Sequence, residues 1–422
     1  MALSGINLEH AKTRNRRVVF EAIRRHGPLS RADVARLTGL TTQTVSNISA
    51  ELGKVGLIRA SGKRSGGRGQ PPLDFEVDPS GGYSIGVHVD QEHVSGVLVD
   101  IAGQPVRDVR LPVGRQEPEA LLPVIERAIA DLAGTPALPV SGKLWGAGVV
   151  MPGIFHSGRL GRGDAVGLAG WSSYPVEQTL TERLRMPIFV ENDATTAAIG
   201  ERLYGVGRAM RNFLFIFFGL GIGCGIIIEG EPYRGSHGLA GELAHVIVSP
   251  GGRPCPCGNR GCLERYASIY SGYEALFPAP NELAAATMDK LQAAIESGNP
   301  QALRWLEDAA YYLRIAIAGI ENMFDLDALV MGGPIAEPIL DALILRLEPL
   351  LPSVNGILPR QGERIVKSQL LSDGPALGAS ALPVSNMLFT GQNAPRPSEA
   401  LPDYGVPSAY LLFGNPLDGF SA

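Results

Sequence analysis

His245 is followed ten residues later by Cys255-Pro-Cys257-Gly-Asn-Arg-Gly-Cys262. A Cys₃His set at short spacings suits a four-coordinate structural metal. Soft sulfur with a borderline nitrogen selects Zn²⁺ over Mg²⁺ or Ca²⁺. Carboxylates stand at both ends of the set, Glu242 before His245 and Glu264 after Cys262. A metal knot would fix both acids in space, and the second ring nitrogen of His245 would be left to hydrogen-bond a ligand or a neighbouring group. The fourth cysteine, Cys224, lies in the apolar run Ile222-Gly-Cys-Gly-Ile-Ile-Ile228 and reads as a buried strand thiol.

Two other islands have chemical potential. In Val190-Glu191-Asn192-Asp193-Ala194 a strand would end and a helix begin. Asn192 and Asp193 either cap that helix or grip hydroxyls, and Asp193 could accept the proton of an attacking hydroxyl. In Gly219-Leu-Gly221-Ile-Gly223-Cys-Gly225 alternate glycines would let a backbone approach phosphate, although a glycine-rich strand turn does equally well.

The elements that must hold these groups come from a chain of 422 residues, enough for two or three domains. Hydrophobic residues make up 45% and the mean hydropathy is +0.09, so large cores can form. No apolar stretch approaches the roughly 20 residues of a membrane span, and the start MALSGINLEHAKTRNRR lacks the apolar core of a secretory leader. Three of four cysteines in one run, without such a leader, point to metal and not to disulfides. These features predict a cytoplasmic protein with no membrane insertion. Charge is uneven. Residues 1–78 hold 13 Lys and Arg against 7 Asp and Glu, while the remainder holds 24 against 35. A basic segment on an acidic body suggests an anionic partner for that segment alone.

The basic segment predicts three helices: Arg14 to His26, stopped by Gly27-Pro28; Arg31 to Leu37, capped by Ser30 and broken at Gly39; and Thr42 to Lys54. In the third, Val45, Ile48 and Leu52 mark a buried face, and Thr42, Gln43, Thr44, Ser46 and Asn47 the opposite one. Short hydrogen-bonding side chains suit base edges and phosphates. This is the helix-turn-helix layout, with the later helix entering the major groove. Strands at Leu57–Ala60 and Leu73–Val77 would flank a basic wing carrying Lys63, Arg64 and Arg68, with Arg68 placed for a narrow A·T-rich minor groove. A basic linker without structure is the alternative.

After Pro79 two strand pairs, Tyr83–Asp90 with Val94–Asp100 and a second pair within Asn212–Glu229, each open a stretch mixing strands and helices. Similar openings suggest an internal duplication. Helices are expected at Pro118–Leu132, Thr179–Leu184, Met288–Ser297, Gln301–Phe324 and Ile335–Leu347. The layout is α/β with a ligand cleft between halves.

Together these residues resemble the ROK family (repressors, open reading frames and sugar kinases) over about Arg14 to Pro383. The most specific part is Gly241-Glu-Leu-Ala-His245 through Cys255-x-Cys257-Gly-Asn-Arg-Gly-Cys262-Leu-Glu264; Glu191-Asn-Asp193-Ala, Met151-Pro-Gly153 and Met331-Gly-Gly-Pro334 agree with it. The resemblance implies a winged helix-turn-helix followed by a two-lobed actin-like ATPase (ribonuclease H-like) fold. It implies sugar contacts from Asn192, Asp193, Glu242, His245 and Glu264, and zinc on His245, Cys255, Cys257 and Cys262. The winged helix marks the family's regulator branch.

Departures from the pattern matter. Family kinases open the first hairpin with Asp-x-Gly-Gly-Thr for ATP phosphates, and here His88-Val-Asp90-Gln-Glu92 stands there. A shifted register could keep Asp90 as a carboxylate, but none restores the glycines. The usual Gly-Thr-Gly of the second hairpin is Gly219-Leu220-Gly221, and Gly167 replaces an Asn before Trp171. Phosphoryl transfer depends on positioned phosphate contacts, so no efficient kinase activity is expected and Asp193 is a vestigial base. The expected protein is a sugar-responsive DNA-binding regulator, a repressor by preference over an activator, acting as a homodimer or homotetramer on a double-stranded operator with a sugar or sugar phosphate as effector. Expected divisions are 1–78 for the DNA-binding head, 79–200 and 201–384 for the two lobes, and 385–422 for a flexible tail. An active ATP-dependent sugar kinase with a DNA-binding head, and a regulator controlled by a protein partner, are the alternatives.

Overall fold

The computed structural model describes residues 8–63, 73–90, 92–134, 144–153, 155–156, 159–160, 170–171, 174–354 and 362–389. The head opens with a helix over Leu8–His26, six residues longer than the expected start at Arg14. Nothing in Leu8–Thr13 breaks a helix, and the early turns gain a partner: Lys12 and Arg16 both reach Glu51 of the third helix, at 3.7 and 2.7 Å. The second helix, Arg31–Thr38, begins in a reciprocal cap. Ser30 Oγ accepts from the Asp33 amide, and the Ser30 amide donates to the Asp33 carboxylate. It ends at Gly39, whose φ of 70° is left-handed and favours glycine. The third helix runs Thr42–Lys54 and buries Val45, Ile48, Ser49 and Leu52.

Strands Ile58–Lys63 and Leu73–Val77 pair antiparallel, and Leu29–Ser30 adds a third short strand beside the latter. The base of the wing is therefore formed as expected. Arg64, Arg68 and the side chain of Lys63 lie outside the described residues.

Two five-stranded sheets follow, and they share one topology. In the first, the meander Tyr83–Val89, His93–Asp100, Pro105–Pro112 is extended on its inner side by parallel strands Leu144–Met151 and Ile188–Asn192. In the second, the meander Phe213–Phe218, Ile222–Ile228, Glu231–Pro232 is extended likewise by Ala328–Gly332 and Ile365–Lys367. The duplication suspected from two similar hairpins is thus carried through every strand. Val, Ile and Phe fill the inner strands, and each lobe has its own apolar core.

Two helices join the lobes. Asp193–Tyr204 leaves the last strand of the first sheet and packs on strand Ile222–Ile228 of the second. Gly374–Phe389 returns from the second lobe to lie on strands Tyr83–Val89 and Leu144–Met151 of the first. They cross where glycine is needed: a Cβ on Gly378 would stand 1.8 Å from the Thr196 carbonyl oxygen. The chain does not end its ordered course near residue 384, where a second lobe was expected to stop and a tail to start. The helix continues through Pro383 to Phe389, and its first-lobe packing makes it part of that lobe.

The head is not hung on a loose tether. Its core of Val19, Phe20, Ile23, Leu52 and Leu57 continues into Ile101, Trp145 and Val384 of the first lobe and returning helix. Among the described residues, no helix is long and apolar enough to cross a membrane.

Candidate metal centre and ligand pocket

The stretch from Glu242 to Glu264 is mostly loop, held by a 3₁₀ turn at Leu243–His245 and by bridges pairing Ile247 with Cys262 and Pro254 with Arg260. Within it Cys255 N donates to the Asn259 carbonyl and Gly258 N to the Cys255 carbonyl, folding the cysteines into a knuckle. Gly258 has φ 98°, a left-handed position that only glycine takes cheaply. The ligand atoms of His245, Cys255, Cys257 and Cys262 all lie within 4.8 Å of one another. His245 Nδ1 is 3.7 Å from Cys255 Sγ, and Cys257 Sγ is 3.7 Å from Cys262 Sγ. Arms of ~2.3 Å in a tetrahedron give an edge of about 3.8 Å. The four groups therefore converge as a metal set requires.

Glu242 Oε2 stands 3.9 Å from His245 Nε2, while Nδ1 of the same ring lies beside Cys255 Sγ. Burial raises the Glu242 carboxyl; His245 opposes this and Glu264 adds to it. Glu264 begins the short helix Glu264–Ala267. Its Oε1 lies so close over the hairpin turn that a Cβ on Gly221 would stand 2.5 Å from it. The alternating glycines of this hairpin thus serve packing: Gly221 admits Glu264, and on Gly225 a Cβ would meet the Ala194 carbonyl oxygen at 2.2 Å.

Across from this loop, Asn192 ends a first-lobe strand and caps helix Asp193–Tyr204, its Oδ1 accepting from Thr195 N at 2.7 Å. The cap is real, and it engages only the oxygen of the amide. Asp193 follows at the first helical position. Burial pushes its carboxyl up to about 6, against the Ala194 amide that donates to it at 2.8 Å, and the field of Glu242 adds to the rise. Asp193, Glu242, Glu264 and His245 are thus linked by their mutual fields, a cluster drawn from both lobes.

Two further side chains belong to this neighbourhood and escaped the sequence reading. Arg234 Nε donates to Glu191 Oε2 at 2.7 Å, tying the first-lobe strand end to the loop after the second-lobe meander. Glu177 accepts from Val190 N at 3.1 Å; burial pushes its carboxyl up to about 7, and the field of Glu191 contributes. Arg234 had only a glycine-rich loop as signal. Glu177 precedes the expected helix start at Thr179, whereas the helix begins at Val176.

At the first hairpin turn, His88 is buried and its ring is held neutral, burial lowering its pKa to about 4 against the field of Asp90. Asp90 is committed to its own turn. Its Oδ1 accepts from the backbone amides of Glu92 and His93, both at 2.7 Å. Gly167 lies outside the described residues; Trp171 is fully buried, and its indole donates to the Gln116 carbonyl.

On the head, Thr42, Gln43 and Asn47 are exposed, and Thr44 and Ser46 half-buried. Thr41 caps the helix by accepting from Thr44 N, and its hydroxyl pairs with that of Thr44 at 2.8 Å. Gln43 Nε2 donates to Asn47 Oδ1 at 3.0 Å, so these two amides are aligned on one face.

Like-built lobes joined by crossing helices, with carboxylates gathered where they meet, define a two-lobed actin-like fold carrying a winged helix-turn-helix. The chain belongs to the ROK family, whose profile matches residues 84–385. It is 28% identical over 385 residues to the xylose repressor of Bacillus spizizenii, covering 89% of this chain and 96% of that one. It is 30% identical over 268 residues to the glucokinase of Halalkalibacterium halodurans, covering 60% and 81%. Among solved structures it is similar to a ROK family glucokinase from Streptomyces griseus in complex with glucose and AMPPNP, at 26% identity and a TM-score of 0.58, over 71% of this chain and 99% of that one.

Proposed function

We propose that this protein is a sugar-responsive transcriptional repressor whose kinase-like domain senses its ligand without phosphorylating it. One observation carries this: a helix with Thr42, Gln43 and Asn47 exposed belongs to a head whose core is continuous with the first lobe, the lobe that supplies Asn192 and Asp193 to the carboxylate cluster. The likeness to a xylose repressor over almost the whole of both chains supports it. Residues Thr42, Gln43, Thr44, Ser46 and Asn47 would read the major groove, with Lys63, Arg64 and Arg68 on the wing. A homodimer or homotetramer would present two heads to a two-fold operator.

The ligand would be an unphosphorylated sugar. Asn192, Asp193, Glu242, His245 and Glu264 offer mostly hydrogen-bond acceptors for sugar hydroxyls, and three carboxylates would repel a phosphate. D-Xylose is the first candidate, by the name of the relative. Zinc on His245, Cys255, Cys257 and Cys262 would be structural, because all four positions are filled by protein. Its place is to hold Glu242, His245 and Glu264 toward the sugar. Loss of the kinase step follows from the first hairpin, where neutral His88 and a self-engaged Asp90 stand where phosphate donors are needed.

A second reading has one observation in its favour. Asp193, with its carboxyl at about 6, is tuned as a general base should be. An ADP-release assay with D-glucose and D-xylose separates the two; robust turnover means a kinase. The repressor reading is tested by a thermal-shift screen of sugars on metal-replete protein, followed by anisotropy with duplexes selected by the full chain. A stabilising sugar that lowers DNA affinity is expected.

A further inference from the structure

Helix Asp193–Tyr204 touches two places that lie far apart. Its first turn holds Asn192 and Asp193. Its last turn meets the head. Arg202, with only 9% of its side chain exposed, reaches Glu231 at 3.4 Å, and Glu231 is also bound by Arg17 of head helix Leu8–His26. Around Gly230 the guanidiniums of Arg202 and head residue Arg25 lie side by side; a Cβ there would stand 3.7 Å from Arg202 Nε and 3.9 Å from Arg25 Nη1. Burial opposes the charge of head residue Arg24 and Glu21 holds it, with the Tyr204 side chain hydrogen-bonded beside it. Burial pushes the Glu21 carboxyl up, yet Arg24, Arg202 and Arg25 together hold it at about 2.

This contact is crowded with positive charge: four guanidiniums share Glu21 and Glu231. The Nε atoms of Arg24 and Arg202 are buried without a hydrogen-bond partner. Burial and the field of Arg25 push the Arg202 guanidinium down to about 10. Moving Glu231, which rides on the second lobe, would leave Arg202 facing Arg25 with one of its two counter-ions withdrawn. Arg202 is the buried partner and Glu231 the half-exposed one, 9% against 47%, so losing Glu231 would leave a buried guanidinium with only the field of Glu21 against those of Arg25 and Arg24, and the contact resists being drawn apart. The helix between is stiff. Every residue from Ala194 to Leu203 is buried, and the Gly378 crossing fixes its middle. Twelve residues span ~18 Å.

We propose that this charged contact is the latch between ligand and DNA: helix Asp193–Tyr204 is the arm, and a sugar at its first turn changes how Arg202, Tyr204 and Glu231 hold the head at the other end. The proposal rests on the sugar-responsive reading and names its route. Arg202 and Tyr204 are positioning residues and touch neither sugar nor DNA.

Its test compares wild type, Arg202→Gln and Tyr204→Phe, using D-xylose and D-glucose as probes and a selected operator duplex read by anisotropy. Sugar affinity is expected to stay within twofold of wild type, while the sugar-induced change in operator affinity shrinks at least threefold in Arg202→Gln and less in Tyr204→Phe. Coupling is reciprocal, so sugar affinity measured with and without operator must converge by the same factor. Undiminished coupling in both variants overturns the latch. Tyr204→Phe removes one hydroxyl and serves if Arg202→Gln does not fold. If neither sugar binds wild type, the sugar reading fails by itself, and a measurement needing neither sugar nor DNA still judges the arm. Asp193→Asn and Glu21→Gln are combined in a double-mutant cycle read by amide exchange of helix Leu8–His26. Residues this far apart act additively unless an element links them. Non-additivity of threefold or more supports the arm, and additivity overturns it.

Discussion

The two lobes repeat one strand order yet hold the residues proposed to contact sugar by different means. In the first lobe Asn192 and Asp193 sit where a strand ends and a helix begins, and the backbone fixes them: Asn192 caps Thr195 N and Asp193 accepts from Ala194 N. In the second lobe Glu242, His245 and Glu264 ride on a loop with little regular structure, gathered by one imidazole and three thiols. Regular structure needs no cofactor to place a side chain. A long loop does, because its ordering entropy must be offset. Half of the pocket should therefore depend on metal and half should not.

The largest expected effect comes from breaking the second-lobe device. Cys262 is fully buried. Cys262→Ser should abolish bound metal and remove on the order of 10 kcal/mol of local binding energy. Sugar-dependent thermal shift should vanish, while amide exchange stays as slow as in wild type in helix Asp193–Tyr204 and quickens only around residues 242–264. Equal loss of protection in both lobes would show that they do not differ as argued. Next is the first-lobe device. Asn192→Ala should cost about 1 kcal/mol in stability as a lost cap and weaken sugar binding. Asn192→Ser should restore the stability, since serine caps, but not the affinity, since the amide is gone. Calorimetric sugar titration beside thermal melts separates the two roles; full affinity in Asn192→Ser would leave Asn192 a cap and nothing more.

The same contrast explains what could be seen before the fold. Caps and breakers act locally, so Ser30, Gly39 and the bounds Thr42–Lys54 were legible, and so was the metal set from its spacing. The resemblance supplied the pocket residues. The duplication showed in two hairpins, although the parallel strands completing it did not. Long-range contacts were hidden. Arg234 meets Glu191 only once the lobes are assembled, and the returning helix Gly374–Phe389 is claimed by the first lobe through packing that no local pattern announces. Within Leu8–Thr13, Lys12 meets Glu51 only once the first and third helices have packed. Shifted carboxyls at Asp193 and Glu177 are likewise products of burial in the assembled protein.

A smaller effect follows from Asp193. Its folded carboxyl is raised from the ordinary 3.8 to about 6, chiefly by burial. A raised pKa means that the folded state holds the proton more tightly than the unfolded chain. Its contribution to stability is thus fully present below about pH 4 and is lost as pH rises through about 6. Sugar binding should run the opposite way, weakening as pH falls below 6 and the acceptor is protonated. Melting curves and sugar titrations from pH 5 to 8 check both signs. In Asp193→Asn the pH dependence of each should flatten; an unaltered profile would assign the titration to another group, with Glu177 next to be tried.

The smallest expected effect concerns the hairpin turns themselves. Leu220 occupies the place of a hydroxyl donor in the second turn and packs against the second-lobe core. Leu220→Thr returns that hydroxyl without disturbing the strands on either side. If ATP phosphates were excluded only by its absence, ADP release with D-glucose would appear in the variant. It should not. Glu264 remains over Gly221, and at the first turn Asp90 still spends its carboxylate on its own backbone beside a neutral His88. Repair on one side leaves the other without the glycines and hydroxyl of a phosphate loop and with the carboxylates of Asp90 and Glu92 in their place, so turnover should stay at the wild-type background. A rise would mean that the two turns, alike in topology, are also closer in chemistry than their side chains indicate.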